Sequence, residues 1–148
     1  MELSNRYFLS ALKLPIGLIL MLFFVSSCLT DEAGAKKAVE ALLKAAYAKD
    51  YAKVRQAIDF SGIIDNSLQM QNAEPVDSAQ KEKIITEMVT GACELSKEDL
   101  EKALLTLRVQ MVGETRDHAI AFYDTMKRTH LTLSLEKRKD VWIVTGIG

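Results

Sequence analysis

The sequence predicts an α+β domain: N-terminal helices packed on a four-stranded antiparallel sheet. Three observations carry this. Apolar residues recur at three- and four-residue spacing from Ala35 to Ile58 and again from Ile84 to Cys93. From Leu104 the period falls to two. The links between the successive two-residue-period runs are short, which favours an antiparallel meander.

The first helix is expected over 35–49. Ala35, Ala38, Val39, Leu42, Leu43, Ala46 and Tyr47 form its apolar face, and Lys36, Lys37, Glu40 and Lys44 its polar one. Asp50 reads as the N-cap of a second helix over 51–59 carrying Tyr51, Val54 and Ile58, with Phe60-Ser61-Gly62 ending it. Residues 61–76 read as a loop, because Asn66, Gln69, Gln71, Asn72 and Pro75 obscure any period, with Ile63, Ile64 and Leu68 dipping into the core. Asp77 with Gln80 resembles a capping box ahead of a third helix over 78–93, striped by Ile84, Ile85, Met88, Val89, Ala92 and Cys93. Ser96 with Asp99 offers another capping turn.

Four strands follow. Leu105, Leu107, Val109 and Met111 alternate with Thr106, Arg108 and Gln110, and Gly113 to Asp117 breaks the run. His118 to Met126 is the second strand, Leu131 to Glu136 the third, Arg138-Lys139-Asp140 a turn, and Val141 to Ile147 the fourth. Val39, Leu42, Leu43, Ile85, Val89, Leu107, Leu133 and Trp142 are expected to be buried together. Lys127-Arg128 and Lys137-Arg138-Lys139 read as solvated hairpin ends, with acidic lipid headgroups or a partner as the functional alternative.

The chain begins differently. Arg6 and Lys13 precede the apolar run Leu14 to Val25, which ends in Val25-Ser26-Ser27-Cys28. Twelve residues span about 18 Å as a helix, against a hydrocarbon core of about 30 Å. That is the anatomy of a signal peptide, with an uncleaved signal anchor or ordinary secretion as the alternatives. The ending resembles the lipobox of bacterial lipoproteins. The resemblance implies cleavage between Ser27 and Cys28, with the Cys28 thiol accepting diacylglycerol because sulfur is the strongest side-chain nucleophile. It divides the chain into a signal peptide (1–27), a lipidated cysteine with a polar tether (28–34) and a globular domain (35–148). Leucine at position 29, where aspartate favours the inner membrane, implies the outer membrane, with the domain expected on its periplasmic face.

Composition excludes several classes. The 19 basic and 20 acidic residues nearly cancel, so nothing suggests a nucleic-acid footprint. If Cys28 is acylated, Cys93 is the one remaining thiol, no intramolecular disulfide forms, and its apolar helical position suggests a buried inert group. Two histidines without a cysteine pair argue against zinc. There is no Gly-rich phosphate loop, Gly-x-Ser-x-Gly elbow or HExxH segment. No metal and no cofactor is expected.

The opening helix AKKAVEALLKAAYAKDYAKVRQAI and the closing strands LTLSLEKRKDVWIVTGIG resemble the nuclear transport factor 2-like (cystatin-like) fold, in particular the small bacterial lipoproteins of unknown function built on it. The resemblance implies a cone between sheet and helices. In enzymes of this fold, isomerases and dehydratases, chemistry happens inside that cone. Such chemistry requires an acid or base and an oxyanion donor converging in a dry site. Tyr47, Asp59, His118 and Asp124 are the nearest candidates for such a pocket. Asp124 shares strand parity with His118, Ile120 and Phe122, and so points inward if that parity faces the core. The plainer reading makes Asp124 a strand end beside a turn and His118 a solvated strand end. His130 is expected in solvent and Trp142 in helix–sheet packing. The resulting expectation is a membrane-anchored binding or scaffolding domain for an envelope protein. A pocket for a small apolar ligand ranks second and an isomerase or dehydratase third.

Overall fold

A computed structural model describes residues 16–148, with side chains from Asp31 onward. Five helices precede four strands: α1 (Ile16–Tyr47), α2 (Tyr51–Ala57), α3 (Phe60–Met70), α4 (Ser78–Ala92), α5 (Lys97–Thr106), β1 (Arg108–Val112), β2 (His118–Tyr123), β3 (Leu131–Arg138) and β4 (Val141–Ile147). The strands form one antiparallel sheet in the order β1-β2-β3-β4, the expected meander. The helices pack on one face of this open sheet, an α+β layer arrangement.

The caps follow the sequence. The carboxylates of Asp50 and Asp77 accept from the backbone N–H groups of Lys53 and Gln80, and the Ser96 hydroxyl accepts from that of Asp99. Each satisfies an otherwise orphaned donor of a first helical turn. Lys139 and Asp140 close the β3–β4 hairpin with φ of 49° and 67°. A two-residue loop with both central residues left-handed matches the twist of its flanking strands.

Several expectations are corrected. Residues 30–34 are not a tether but part of α1, which runs unbroken from Ile16. No proline interrupts it, and Gly34 sits where an added Cβ would lie 3.2 Å from Nε1 of Trp142, so its small size serves a close contact. Phe60-Ser61-Gly62 opens a helix rather than ending one. Ile58 is extended, bridging Val144 of β4, and Asp59 then caps α3 by accepting from Gly62 N–H at 3.0 Å. Within α3, Phe60 and Ile64 are buried and Ile63 and Leu68 partly so, a helical stripe hidden in sequence by poor helix formers.

The change of period also misled at Leu104. Residues 97–106 are helical, and the strand begins at Arg108. Leu100, Ala103, Leu104 and Leu107 pack inward, whereas Leu105 is 86% exposed. Leu104, Leu105 and Leu107, with Leu100 behind them, fit a helical stripe or an alternating strand equally well. The second strand is shorter than expected, ending at Tyr123, and its inward residues are Ala119 and Ala121, not His118, Ile120 and Phe122.

The core matches expectation. Val39, Leu42, Leu43, Ile85, Val89, Leu107, Leu133 and Trp142 all lie in one buried cluster with Leu135, Val144 and Cys93. Between Ser134 and Leu135 the β3–β4 register shifts, so Ser134 faces Gly146 while Leu135 faces Val144, leaving Thr145 as the extra residue. Such a bulge bends its strand.

Candidate functional site

The four pocket candidates lie apart. Tyr47 ends α1 and is 43% exposed. Asp59 is engaged structurally: beyond its cap, Oδ2 accepts from Arg138 Nη1 at 2.9 Å. The Gly62 N–H, and then Arg138, hold its carboxyl below the usual carboxylate range, outweighing the opposing effect of burial. His118 opens β2, with Nδ1 2.7 Å from Oδ1 of Asp117, and both side chains are largely exposed. Asp124 lies just past the other end of β2. Its carboxylate accepts from the backbone N–H of His130 at 2.8 Å and its own N–H donates to Thr106 Oγ1 at 2.9 Å. Six steps along the chain separate His118 from Asp124, about 20 Å.

Two of these groups lie along one row of charged residues, outside the core. Arg138 bridges Asp59 and Glu136, and Glu136 stands opposite His118 across β2 and β3. This ribbon of charge crosses the solvent face of the sheet. Exposed pairs of this kind contribute little to stability. Among the described residues no buried side-chain nitrogen or oxygen lacks a hydrogen-bond partner, and no group of three His, Cys, Asp or Glu side chains is placed to hold a metal. Burial pushes the Cys93 thiol up, so near neutral pH it stays protonated and poorly nucleophilic.

Sequence reading missed the wider role of Asp99. Only 5% exposed, it joins α5 to the loop after β2. One carboxylate oxygen accepts from the Met126 N–H at 2.8 Å and the other from the Ser96 hydroxyl at 2.9 Å. These donors, Met126 first, hold its carboxyl below the ordinary value despite burial. A depressed folded-state pKa gives stability that is present above the unfolded value, near 3.9, and is lost as pH falls through the folded one. The urea midpoint should therefore fall as pH drops below about 4. Asp99→Asn should lower it at pH 7 and make this acid decline shallower. An unchanged slope would show that Asp99 plays no part in it.

The grooves are open and lie on the surface. One, of about 480 Å³, is lined by Asp31, Gly34, Lys37, Lys137, Asp140 and Trp142. It runs into a second, of about 260 Å³, where Ala38, Ala41 and Ala45 of α1 face Gln56 and Ala57 of α2 and Ile143 of β4. The two share Ala38, Val141 and Trp142. At the first groove Lys137 Nζ donates to Asp31 Oδ1 at 2.9 Å, with both side chains largely shielded, and the Asp31 carboxylate raises the Lys137 ammonium above its ordinary value. Asp31, expected as a solvated tether residue, instead clamps α1 to the β3–β4 hairpin. Two further apolar grooves lie between α2 and α4 and between α3 and α4.

Ser27 and Cys28, the expected cleavage and lipidation residues, fall within the α1 backbone, and their side chains lie outside the described residues, as do Arg6 and Lys13 entirely. Among the described residues no helix is long and apolar enough to cross a membrane. The chain matches no known protein family, no curated protein and no solved structure.

Proposed function

We propose that the protein is a lipid-anchored component of the bacterial cell envelope whose domain binds or scaffolds without catalysing. The anchor is Cys28, freed by cleavage after Ser27 and acylated. Leu29 favours the outer membrane, with the domain on the periplasmic side. The domain is read as a nuclear transport factor 2-like cone with a filled interior. Helices on one sheet face, the meander and the bulge at Thr145 support that reading. Asp31 then falls in the first turn of the mature helix, where an acidic side chain suits the dipole.

The observation that carries the scaffold reading is the state of the interior. Val39, Val54, Leu135 and Cys93 are fully buried members of one continuous core cluster. Tyr47, Asp59, His118 and Asp124 are dispersed around it, and proton transfer requires such groups within hydrogen-bond reach of one substrate. The open apolar groove beside Trp142 sustains the second reading, capture of a small apolar ligand.

Native mass spectrometry of the detergent-extracted protein separates the two. The scaffold reading expects the mass of residues 28–148 plus acyl groups, with nothing further bound. A stoichiometric additional apolar mass would replace it with the ligand-binding reading.

A further inference from the structure

We infer that the end of the domain formed by the β3–β4 hairpin and the start of α1 is held against the lipid headgroups, and that the Asp31–Lys137 pair fixes this orientation. The inference rests on the anchoring at Cys28 proposed above. Its starting point is that α1 has no break between Cys28 and the domain. Cys28 lies three residues before Asp31, about 4.5 Å along the helix axis. Position 28 of the helix backbone is thus less than one helical turn from Asp31, which meets Lys137 at 2.9 Å. Gly34 seals the same helix face against Trp142 at the next turn. A flexible tether lets a domain tumble above its anchor, whereas a helix clamped twice to the sheet does not.

The topology says which surface is then presented. In the meander the β1–β2 turn and the β3–β4 turn share one end of the sheet, with Lys137 N–H donating to the Asp117 carbonyl at 2.7 Å between them. The Asp124–His130 loop closes the other end, separated by the eight residues of β3, about 26 Å. The hairpin end carries Val141, 57% exposed, with exposed Lys37 and Lys139 beside it. Aliphatic tips and long basic side chains suit a headgroup boundary. Charge does not supply the affinity, since Asp31 and Asp140 offset Lys137. Two acyl chains suffice to hold a protein to a bilayer, and the hairpin end is carried to the surface by them.

The test uses the full-length gene product, purified from membranes and reconstituted in phosphatidylcholine–phosphatidylglycerol vesicles. Val141→Cys at the hairpin end and Met126→Cys at the far end, 64% exposed, are treated with a bulky polyethylene-glycol maleimide. Acylated Cys28 and buried Cys93 should leave the parent chain unlabelled. Residue 126 should react as fast as it does in detergent and residue 141 several-fold more slowly. Adding Asp31→Asn to the Val141→Cys chain should restore its rate while leaving the protein in the vesicles. Equal rates at 141 and 126 with an unlabelled parent would overturn the orientation and leave the anchor standing. Labelling of the parent at Cys28 would instead overturn the anchor, and the orientation with it.

Discussion

Leu135→Ala should cost about 2–5 kcal/mol, the range for truncating a buried leucine. Leu135 is 1% exposed and lies in β3 between Ala119 and Val144, directly beside the bulge that turns β4. Neither neighbour has a flexible side chain to fill the space left behind. The loss is a large share of the roughly 5–15 kcal/mol by which domains are stable, and the urea midpoint should fall accordingly. Leu105→Ala, at an 86% exposed position on the solvent side of α5, should change stability by no more than about 0.5 kcal/mol. Equal losses from the two changes would place residues 104–107 in the sheet, as their two-residue period suggests.

Ala121→Leu tests the same core from the opposite direction. Ala121 is fully buried on the central strand β2, opposite Val109 and Leu133. Three added carbons have no space there, and overpacking of this kind costs about 1–3 kcal/mol. Phe122→Leu, one residue along and on the other sheet face, exchanges one large apolar side chain for another at a half-buried position. It should cost less. The thermal midpoints of the two variants decide the facing of β2. A larger loss at Phe122 would mean that His118, Ile120 and Phe122 point inward after all, and would return Asp124 to the interior as a chemical candidate.

These two pairs mark where sequence was informative. Where one period ran long and unambiguous, in the first helix or in Leu131–Leu135, both the element and its buried face were legible. Four of the eight residues expected in the core, Val39, Leu42, Leu43 and Leu133, come from these two stretches. Where apolar residues crowd together, as from Leu104 to Leu107, period alone did not separate helix from strand. Burial of Leu107 with exposure of Leu105 is decided by the Ser96 cap, which sets where α5 starts. In α3, Gly62, Ser67 and Asn66 masked a stripe that tertiary packing stabilises.

Site geometry was less legible still. The inward facing of β2 rests on two alanines, Ala119 and Ala121, which carry weaker hydrophobic signal than Ile120 and Phe122. Small residues fit there because of the space available beneath the helices, a quantity periodicity does not contain. Asp99 looked like an ordinary first-turn acid, and its second partner, the Met126 N–H, lies 27 positions away. Asp31 likewise finds Lys137 across 106 positions. No local pattern encodes contacts of that range.

The central claim is attachment through Cys28, and metabolic labelling with a fatty acid addresses it most directly. The native chain should carry label and remain with membranes after an alkaline wash. Cys28→Ser should carry none. Label retained on the Cys28→Ser chain, or a native chain that stays unlabelled, would contradict the account.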